Sequence, residues 1–251
     1  MVVQAEEGLL TTSGVRVLVA TAVPVERDAV AQAFPPGDGP IDVIAVGVGP
    51  AASAASVASA LTTAALRGTP YGLVVSAGIG GGFQPQAPVG SLVVADEITV
   101  ADLGAETADG FVPVTALGFG AVTHRPPEAL VRDVTAVTGA LAGAVLTVST
   151  VTGSAERAAE LRARHPGALA EAMEGFGVAE AAAAHGVPVL EIRAVSNPVG
   201  PRDRAAWRIG DALTALTEAF GKLAPVLESW NPHEHSADQP RELPHEQPRE
   251  P

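Results

Sequence analysis

The segment Val15-Arg-Val-Leu-Val-Ala-Thr21 is a near-continuous apolar run, and Pro24 and Glu26 follow shortly after it. Such a run is typical of a strand that is buried on both faces of a parallel sheet. Pro24 suits the first turn of a helix, because a proline loses no hydrogen bond there. We therefore predict a strand over residues 15–21 and a helix from Pro24 to about Phe34, the beginning of an α/β fold.

The same alternation continues along the chain. Short β-rich runs are found at residues 41–46, 71–76, 89–100, 145–151 and 187–196. Ala-rich helical stretches are found at residues 50–67, 154–164 and 173–185. A 4-3-4-3 apolar spacing predicts a C-terminal helix with one buried face, formed by Ile209, Leu213, Leu216, Phe220 and Leu223. The order of elements indicates a largely parallel or mixed sheet flanked by helices.

Composition divides the chain into three parts. Residues 1–13 lack the basic segment and apolar stretch of a secretory signal, and we interpret them as a flexible leader. Residues 14–230 have the apolar content of one large domain, although residues 101–143, rich in Gly, Thr and Pro, allow no assignment. From residue 231 the apolar periodicity stops and Pro, His, Glu and Arg dominate, which predicts a disordered tail over residues 231–251.

Overall composition excludes several functional classes. The chain has no cysteine, which excludes disulfides, thiolate catalysis and zinc sites built on cysteine, and it favours the cytoplasm. The net charge of −13 argues against a nucleic-acid partner, because neutralising phosphates requires a basic face. No apolar run reaches the ~18 residues that a membrane helix needs. We therefore expect a cytoplasmic protein without a nucleic-acid or membrane partner, and the acidity says nothing about a small neutral substrate.

Three polar side chains stand out against the apolar elements. Glu26 follows the C-terminal end of the first strand, where ligands of open α/β sheets collect, although a first-turn Glu also favours the helix dipole. Glu174, in Met173-Glu-Gly175, opens an Ala-rich helix and either faces solvent or holds a diol with its two acceptor oxygens. Asn197 before Pro198 is typical of a turn, and its amide also suits a flat heterocycle.

Ser76-Ala-Gly-Ile-Gly-Gly-Gly82 predicts a glycine-rich turn whose backbone amides approach a ligand closely. The turn is not a dinucleotide fingerprint, because no acidic residue lies at the expected distance after another strand. No P-loop lysine follows it either, which argues against hydrolysis of a nucleoside triphosphate.

Taken together, these segments resemble the nucleoside phosphorylase superfamily, on the branch of the bacterial nucleosidases. The resemblance covers about residues 15–227. It is carried by Pro24-Val-Glu26, Ser76-Ala-Gly78, Val89-Gly-Ser-Leu-Val-Val-Ala-Asp96, Ala172-Met-Glu174 and Ile192-Arg-Ala-Val-Ser-Asn197. It implies a three-layer sandwich with a central mixed, mostly parallel sheet flanked by helices, and a homo-oligomer that is a dimer or larger.

Within the superfamily the sequence is most similar to the futalosine hydrolases, which release hypoxanthine from futalosine on a route to menaquinone. This finer resemblance is carried by Ser149-Thr-Val-Thr-Gly-Ser154, Met173-Glu-Gly175 and Ser196-Asn-Pro-Val-Gly-Pro-Arg-Asp203. It implies that a nucleoside is the substrate and that the reaction requires no metal or organic cofactor.

The resemblance also implies roles for individual residues. Glu26 matches the carboxylate that activates water, and Glu174 matches the carboxylate that holds the 2′- and 3′-hydroxyls of ribose, with Met173 beside it. Asn197 occupies the position at which adenine-specific nucleosidases carry an aspartate.

Other matched positions imply contacts with the sugar and the base. Ala77 and Gly78 match the turn beside the sugar, and Val151 and Thr152 match the strand that binds the base. Relatives often place a stacking Phe near Val151. Phe176 or Trp207 is a candidate to stack on the base instead of that Phe, and for either residue a place in the hydrophobic core is equally plausible.

The amide at Asn197 favours a 6-oxopurine on chemical grounds. Hypoxanthine presents acceptors at both N7 and O6, so an amide donates to O6 and then accepts from the protonated N7 of the departing base. A carboxylate facing O6 would repel it. Adenine presents an amino group instead of O6, which suits a protonated aspartate. Such mispairing of buried polar groups supports strong discrimination between bases.

The nature of the attacking group is a separate question. Phosphorolysis needs Arg or Lys to hold phosphate, and the segments around Glu26, Gly78 and Gly47 contain none except Arg27. A carboxylate near the point of attack suits water, so hydrolysis is favoured. The alternatives are a nucleosidase for methylthioadenosine or S-adenosylhomocysteine, a purine nucleoside phosphorylase, and a non-catalytic nucleoside-binding protein.

Overall fold

The computed structural model describes residues 15–34 and 39–231. The predicted leader over residues 1–13 and, except for Asn231, the predicted tail over residues 231–251 lie outside the described residues. Within the described ranges, no helix has both the length and the apolar character needed to cross a bilayer.

Strands and helices alternate as the sequence predicts in the first and last parts of the described chain, but five strands follow one another in its middle without an α-helix between them. The strands are β1 (Arg16–Thr21), β2 (Ile41–Ala45), β3 (Tyr71–Gly82), β4 (Leu92–Val100), β5 (Gly104–Thr107), β6 (Gly110–Pro113), β7 (Thr123–His124), β8 (Leu141–Thr147), β9 (Ala168–Ala172) and β10 (Val189–Pro198). The helices are α1 (Pro24–Ala31), α2 (Pro50–Leu66), α3 (Glu128–Thr138), α4 (Ala155–Arg164), α5 (Gly175–Ala184) and α6 (Ile209–Ser229).

The main sheet is mixed and mostly parallel. Its order is β10-β4-β8-β9-β3-β1-β2, with β7 on β4 and a further pairing between β10 and β3. The β3–β9, β10–β4 and β4–β7 pairs are antiparallel, and the other pairs are parallel. Pairing forms a closed circuit of five strands, in the order β3, β9, β8, β4 and β10. This half of the sheet is therefore strongly curved, and β1 and β2 continue the sheet beyond β3.

The sheet is buried on both faces, which explains why its strands are apolar at successive positions. On one face Val17, Val19 and Ala77 pack in a core with α1, α3 and α6. On the other face Leu18 and Val74 pack with α2 and α5. The predicted three-layer sandwich is therefore confirmed.

Several predicted boundaries are wrong. The glycine-rich segment up to Gly82 is not a turn but the end of β3, where a Cβ on Gly82 would lie 2.2 Å from the carbonyl oxygen of Ala87. Glycine is needed there because backbones pack closely. The strand predicted at residues 145–151 is β8, which ends at Thr147, so Val151 and Thr152 lie in the following loop. The helix predicted from Met173 begins at Gly175.

Candidate active site

A cavity of about 220 Å³ opens beyond the C-terminal ends of β1, β3 and β10, next to the end of β9. This location is where open α/β sheets bind ligands. The residues that line it are Ala22, Val23, Glu26, Ile79, Gly80, Gly81, Val151, Thr152, Glu171, Ala172, Met173, Glu174, Ser196, Asn197, Val199 and Trp207. Glu26, Glu174 and Asn197, far apart in the sequence, thus share one cavity.

Glu26 is held by backbone amides from two elements. Its Oε2 accepts hydrogen bonds from the amides of Ala22 at 3.0 Å and Val23 at 3.3 Å, as a carboxylate at the third position of a helix often does. Its Oε1 accepts from the amide of Ile79 in β3 at 2.9 Å. Burial raises the pKa of Glu26 above its ordinary value of 4.5, while the Ile79 amide and Arg193 oppose that rise.

Glu174 lies just before α5 and is only 5% exposed, so it does not face solvent. Its Oε1 accepts from the amide of Gly49 at 3.3 Å, and its Oε2 accepts from Nη1 of Arg193 at 3.3 Å. Gly49 has a φ of +90°, which an L residue rarely adopts, and this conformation directs its amide toward Glu174. The glycines between β2 and α2 therefore help to position a carboxylate at the cavity.

Arg193 in β10 contacts several polar residues of this region, and the sequence did not predict it as a site residue. Its Nε donates to Glu191 at 2.9 Å, its Nη1 to Glu174 and its Nη2 to Ser76 Oγ at 3.0 Å. Burial alone would lower the pKa of Arg193, but Glu191, Glu174 and Glu26 outweigh it and raise that pKa. We call Ser76, Arg193 and the three carboxylates Glu26, Glu174 and Glu191 the charged cluster.

Glu191 is the innermost member of the charged cluster. It is fully buried, its Oε1 accepts from Arg193, and its Oε2 has no hydrogen-bond partner among the described residues. Burial raises the pKa of Glu191 above its ordinary value, and the charge of Arg193 opposes that rise. Three carboxylates around one guanidinium leave the cluster with an excess of acidic groups, an arrangement that favours uptake of a proton.

Gly78 and Ala77 lie apart from the cavity wall. Ala77 is completely buried in the core against α1, α3 and α6. A Cβ on Gly78 would lie 2.7 Å from both Glu26 Oε1 and Arg193 Nη1. The absence of a side chain at Gly78 therefore leaves room for both the carboxylate and the guanidinium, whereas Ile79, Gly80 and Gly81 line the cavity.

The opposite side of the cavity is polar but carries no cation among its lining residues. Asn197 lies near the end of β10, with its Oδ1 accepting from Ser196 Oγ at 2.8 Å and its Nδ2 donating to the Pro198 carbonyl at 3.0 Å. Glu171 in β9 accepts from the backbone amide of Thr152 at 2.8 Å and from the hydroxyl of the same residue. We call Thr152, Glu171 and Asn197 the amide end.

The remaining predicted residues divide between the cavity and the core. Val151 and Met173 line the cavity, as does Trp207, over which the guanidinium carbons of Arg202 and Arg204 lie at 5.4 and 5.7 Å from the ring centre. Phe176 is 6% exposed and packs in the core between the sheet, α2 and α5. Of the two aromatic candidates, Trp207 therefore lines the cavity and Phe176 does not.

Three functional candidates were missed although the sequence carried a signal for each. Glu191 and Arg193 are opposite charges two residues apart in an apolar strand, a spacing that places both side chains on one face. Glu171 interrupts an Ala-rich run in the same way. The cation of this site, Arg193, comes from a strand and not from the segments around Glu26, Gly78 and Gly47.

The sequence matches those of known enzymes. The profile of the phosphorylase superfamily matches residues 31–228. A futalosine hydrolase of Streptomyces coelicolor is 74% identical over 232 residues, which cover 86% of this chain and 98% of the relative. A futalosine hydrolase of Acidothermus cellulolyticus is 44% identical over 226 residues, which cover 83% of this chain and 90% of the relative.

The fold also matches a solved structure. A 5′-methylthioadenosine/S-adenosylhomocysteine nucleosidase of Colwellia psychrerythraea, in complex with adenine, superimposes with a TM-score of 0.73. The match covers 86% of this chain and 97% of the nucleosidase, at 19% identity, so it bears on the fold alone. Sequence and fold agree, and the chain belongs to the phosphorylase superfamily and, within it, to the family of the futalosine hydrolases.

Proposed function

We propose that the protein hydrolyses the N-glycosidic bond of futalosine and releases hypoxanthine. The observation that carries this proposal is that Glu26 and Glu174 meet around Arg193 on one side of a cavity whose other side presents Asn197. The first side has the groups that activate water and hold a sugar, and the second has an amide that pairs with a 6-oxopurine. The relatives at 74% and 44% identity support the choice of futalosine.

The proposed reaction passes through a ribosyl group with oxocarbenium character. Asn197 donates to O6 of the departing base and accepts from N7, which takes a proton from solvent as the glycosidic bond breaks, and it so stabilises the base as it leaves. Glu174 holds the 2′- and 3′-hydroxyls and places negative charge near the developing cation. Glu26 takes a proton from the water that attacks the anomeric carbon. Burial raises the pKa of Glu26, which makes its carboxylate a stronger base than that of an ordinary glutamate.

The charged cluster favours water over phosphate as the attacking group. Each of the three guanidinium nitrogens of Arg193 already donates a hydrogen bond, to Glu191, Glu174 and Ser76 respectively. A phosphate dianion would therefore approach an arginine that is neutralised and surrounded by carboxylates, where Coulomb repulsion disfavours it. Neutral water meets no such barrier, so hydrolysis remains the favoured reaction even with a buried arginine present.

The test is a base-release assay with futalosine, inosine and methylthioadenosine, each with and without inorganic phosphate. We expect hypoxanthine from futalosine at a rate that phosphate leaves unchanged. Strict dependence on phosphate would identify a phosphorylase, and release of adenine in preference to hypoxanthine would identify an adenine nucleosidase. Binding of nucleosides without release of any base would identify a non-catalytic binding protein.

We further propose that the protein is a cytoplasmic homo-oligomer. Support for an assembly comes from Leu103, Leu117 and Phe119, which are 42%, 45% and 68% exposed in the segment between β4 and β7. Burial of such side chains between subunits would be favourable. Light scattering on the purified protein tests this, and a mass of one chain would contradict it.

A further inference from the structure

Glu171 and Asn197 occupy equivalent positions on either side of one glycine. Gly81 in β3 pairs with Glu171 in antiparallel β9 and with Asn197 in parallel β10. The three residues thus form one row across three adjacent strands, and neighbouring strands are ~4.8 Å apart, so the outer residues are roughly 10 Å apart. Both Glu171 and Asn197 line the cavity.

Glycine lets neighbouring groups pack closely at the centre of this row. A Cβ on Gly80 would lie 2.8 Å from the Glu171 carbonyl oxygen, and one on Gly81 would lie 3.4 Å from Asn197 Nδ2 and 2.9 Å from Val199. Val199 therefore packs against Gly81 between the two polar residues. Because Glu171 and Asn197 both line the cavity, one planar base in it can meet the carboxylate and the amide.

Glu171 presents hydrogen-bond acceptors to the cavity. It is 4% exposed, and Thr152 donates to both of its oxygens, through the backbone amide to Oε1 and through the hydroxyl to Oε2. Burial raises the pKa of Glu171, while the two hydrogen bonds from Thr152 stabilise its charged form and oppose that rise. A carboxylate has about four acceptor sites, so two remain after Thr152 is satisfied.

We propose that Glu171 selects the base together with Asn197, by accepting a hydrogen bond from N1–H of a 6-oxopurine. This inference rests on the proposed function and adds a second residue to base recognition. N7, O6 and N1–H follow one another around hypoxanthine as acceptor, acceptor and donor. Asn197 pairs with N7 and O6, and Glu171 pairs with N1–H.

The same contact rejects adenine. N1 of adenine is an acceptor without a hydrogen, so it would face the acceptors of Glu171 with no proton between them. An unpaired buried polar group costs about 1–3 kcal/mol, which corresponds to about a 5- to 150-fold preference. Thr152 acts as a positioning residue here, because its amide and hydroxyl fix the carboxylate that reads the base.

The experiment compares Glu171→Gln with the wild type on inosine, 1-methylinosine and adenosine. A Gln side chain keeps the shape and places one donor toward the base. We expect kcat/KM for inosine relative to adenosine to fall at least about tenfold in the variant. We also expect the wild type to reject 1-methylinosine, which lacks N1–H, and the variant to lose most of that discrimination. Glu218→Gln makes the same chemical change on the exposed face of α6 and should leave all three rates unchanged.

Three results would overturn the inference. Equal loss on inosine and adenosine would mean that Glu171 has only a structural role. Unchanged base preference in the variant would remove Glu171 from recognition altogether. If the variant does not fold, equal cleavage of inosine and 1-methylinosine by the wild type would decide against N1–H recognition.

A binding experiment separates this inference from the proposed function. Calorimetry with free hypoxanthine, 1-methylhypoxanthine and adenine requires no turnover. A wild type that prefers hypoxanthine, and loses that preference in Glu171→Gln, supports the inference even when no nucleoside is cleaved. Cleavage of futalosine by a protein that binds all three bases equally would support the proposed function and reject the inference.

Discussion

The charged cluster and the amide end are opposite sides of one cavity, and they are built differently. In the charged cluster, three carboxylates around Arg193 come from α1, β10 and the segment before α5, and their pairing is largely electrostatic. In the amide end, Glu171 and Asn197 are held by short-range hydrogen bonds from Thr152 and Ser196. The first arrangement suits the movement of charge and protons, and the second suits recognition of shape and hydrogen-bonding pattern.

This difference separates two kinds of mutational effect. Changes in the charged cluster should slow release of every base, because they affect the sugar and the attacking water. Changes at the amide end should alter which base is released. A substitution in the charged cluster that changed base preference, or one at the amide end that slowed all bases equally, would break the distinction.

The largest effect is expected for Glu26→Gln. The amide cannot take a proton from water, so kcat should fall by about 10²–10⁴ for every base, the usual range for loss of a general base. Calorimetric binding of hypoxanthine should be retained. The matched control is Asp28→Asn, since Asp28 is exposed on the same helix and pairs with Arg27. A Glu26→Gln variant with near-normal kcat would remove Glu26 from this role.

The second largest effect is expected for Arg193→Lys, which should reduce kcat about 10- to 100-fold for all bases. Lysine keeps the positive charge but cannot reach Glu191, Glu174 and Ser76 at once, because it lacks the planar fork of arginine. Loss of these contacts should also lower Tm. Arg208→Lys, which changes an exposed pair with Asp211, is the control and should alter neither quantity. Full activity in Arg193→Lys would show that the charge alone suffices.

The contrast between the two sides also explains what the sequence could predict. Glu26, Glu174 and Asn197 each lie at the end of an element, so their convergence follows from the order of strands and helices. Arg193 and Glu191 lie inside a strand, where position alone does not distinguish a site from a structural ion pair. Their partners come from residues 76 and 174, which only the folded chain brings together.

In the fold, the elements that sequence reasoning missed are those that depend on tertiary pairing. Ala168–Ala172 has the composition of a helix, yet it forms β9 because β8 and β3 offer backbone partners on both sides. Gly80–Gly82 has the composition of a turn, yet it continues β3 because close strand packing excludes side chains. Local propensity is overridden in both cases by contacts distant in sequence.

A smaller and more selective effect is expected for Asn197→Asp. A carboxyl group at this position pairs with N7 and the 6-amino group of adenine and repels O6 of hypoxanthine. The ratio of kcat/KM for inosine to that for adenosine should fall about tenfold, which corresponds to about 1.4 kcal/mol. Ser196 should keep its contact with the new side chain, because its hydroxyl donates to the oxygen that is retained. An unchanged ratio would contradict the assignment of the base to the amide end.

The smallest effect concerns pH and appears only on the acid side of the activity profile. Glu26 acts as a base only when deprotonated, and burial raises its pKa above 4.5, so kcat should begin to fall at a higher pH than an ordinary glutamate would cause. The negative charge of Glu174 contributes to that rise.

In Glu174→Gln, residual activity should therefore persist to lower pH than in the wild type, whereas Asp28→Asn should leave the acid limb in place. An acid limb that stays fixed in Glu174→Gln would mean that the two carboxylates are not coupled, and the cluster would then have to be regarded as separate groups.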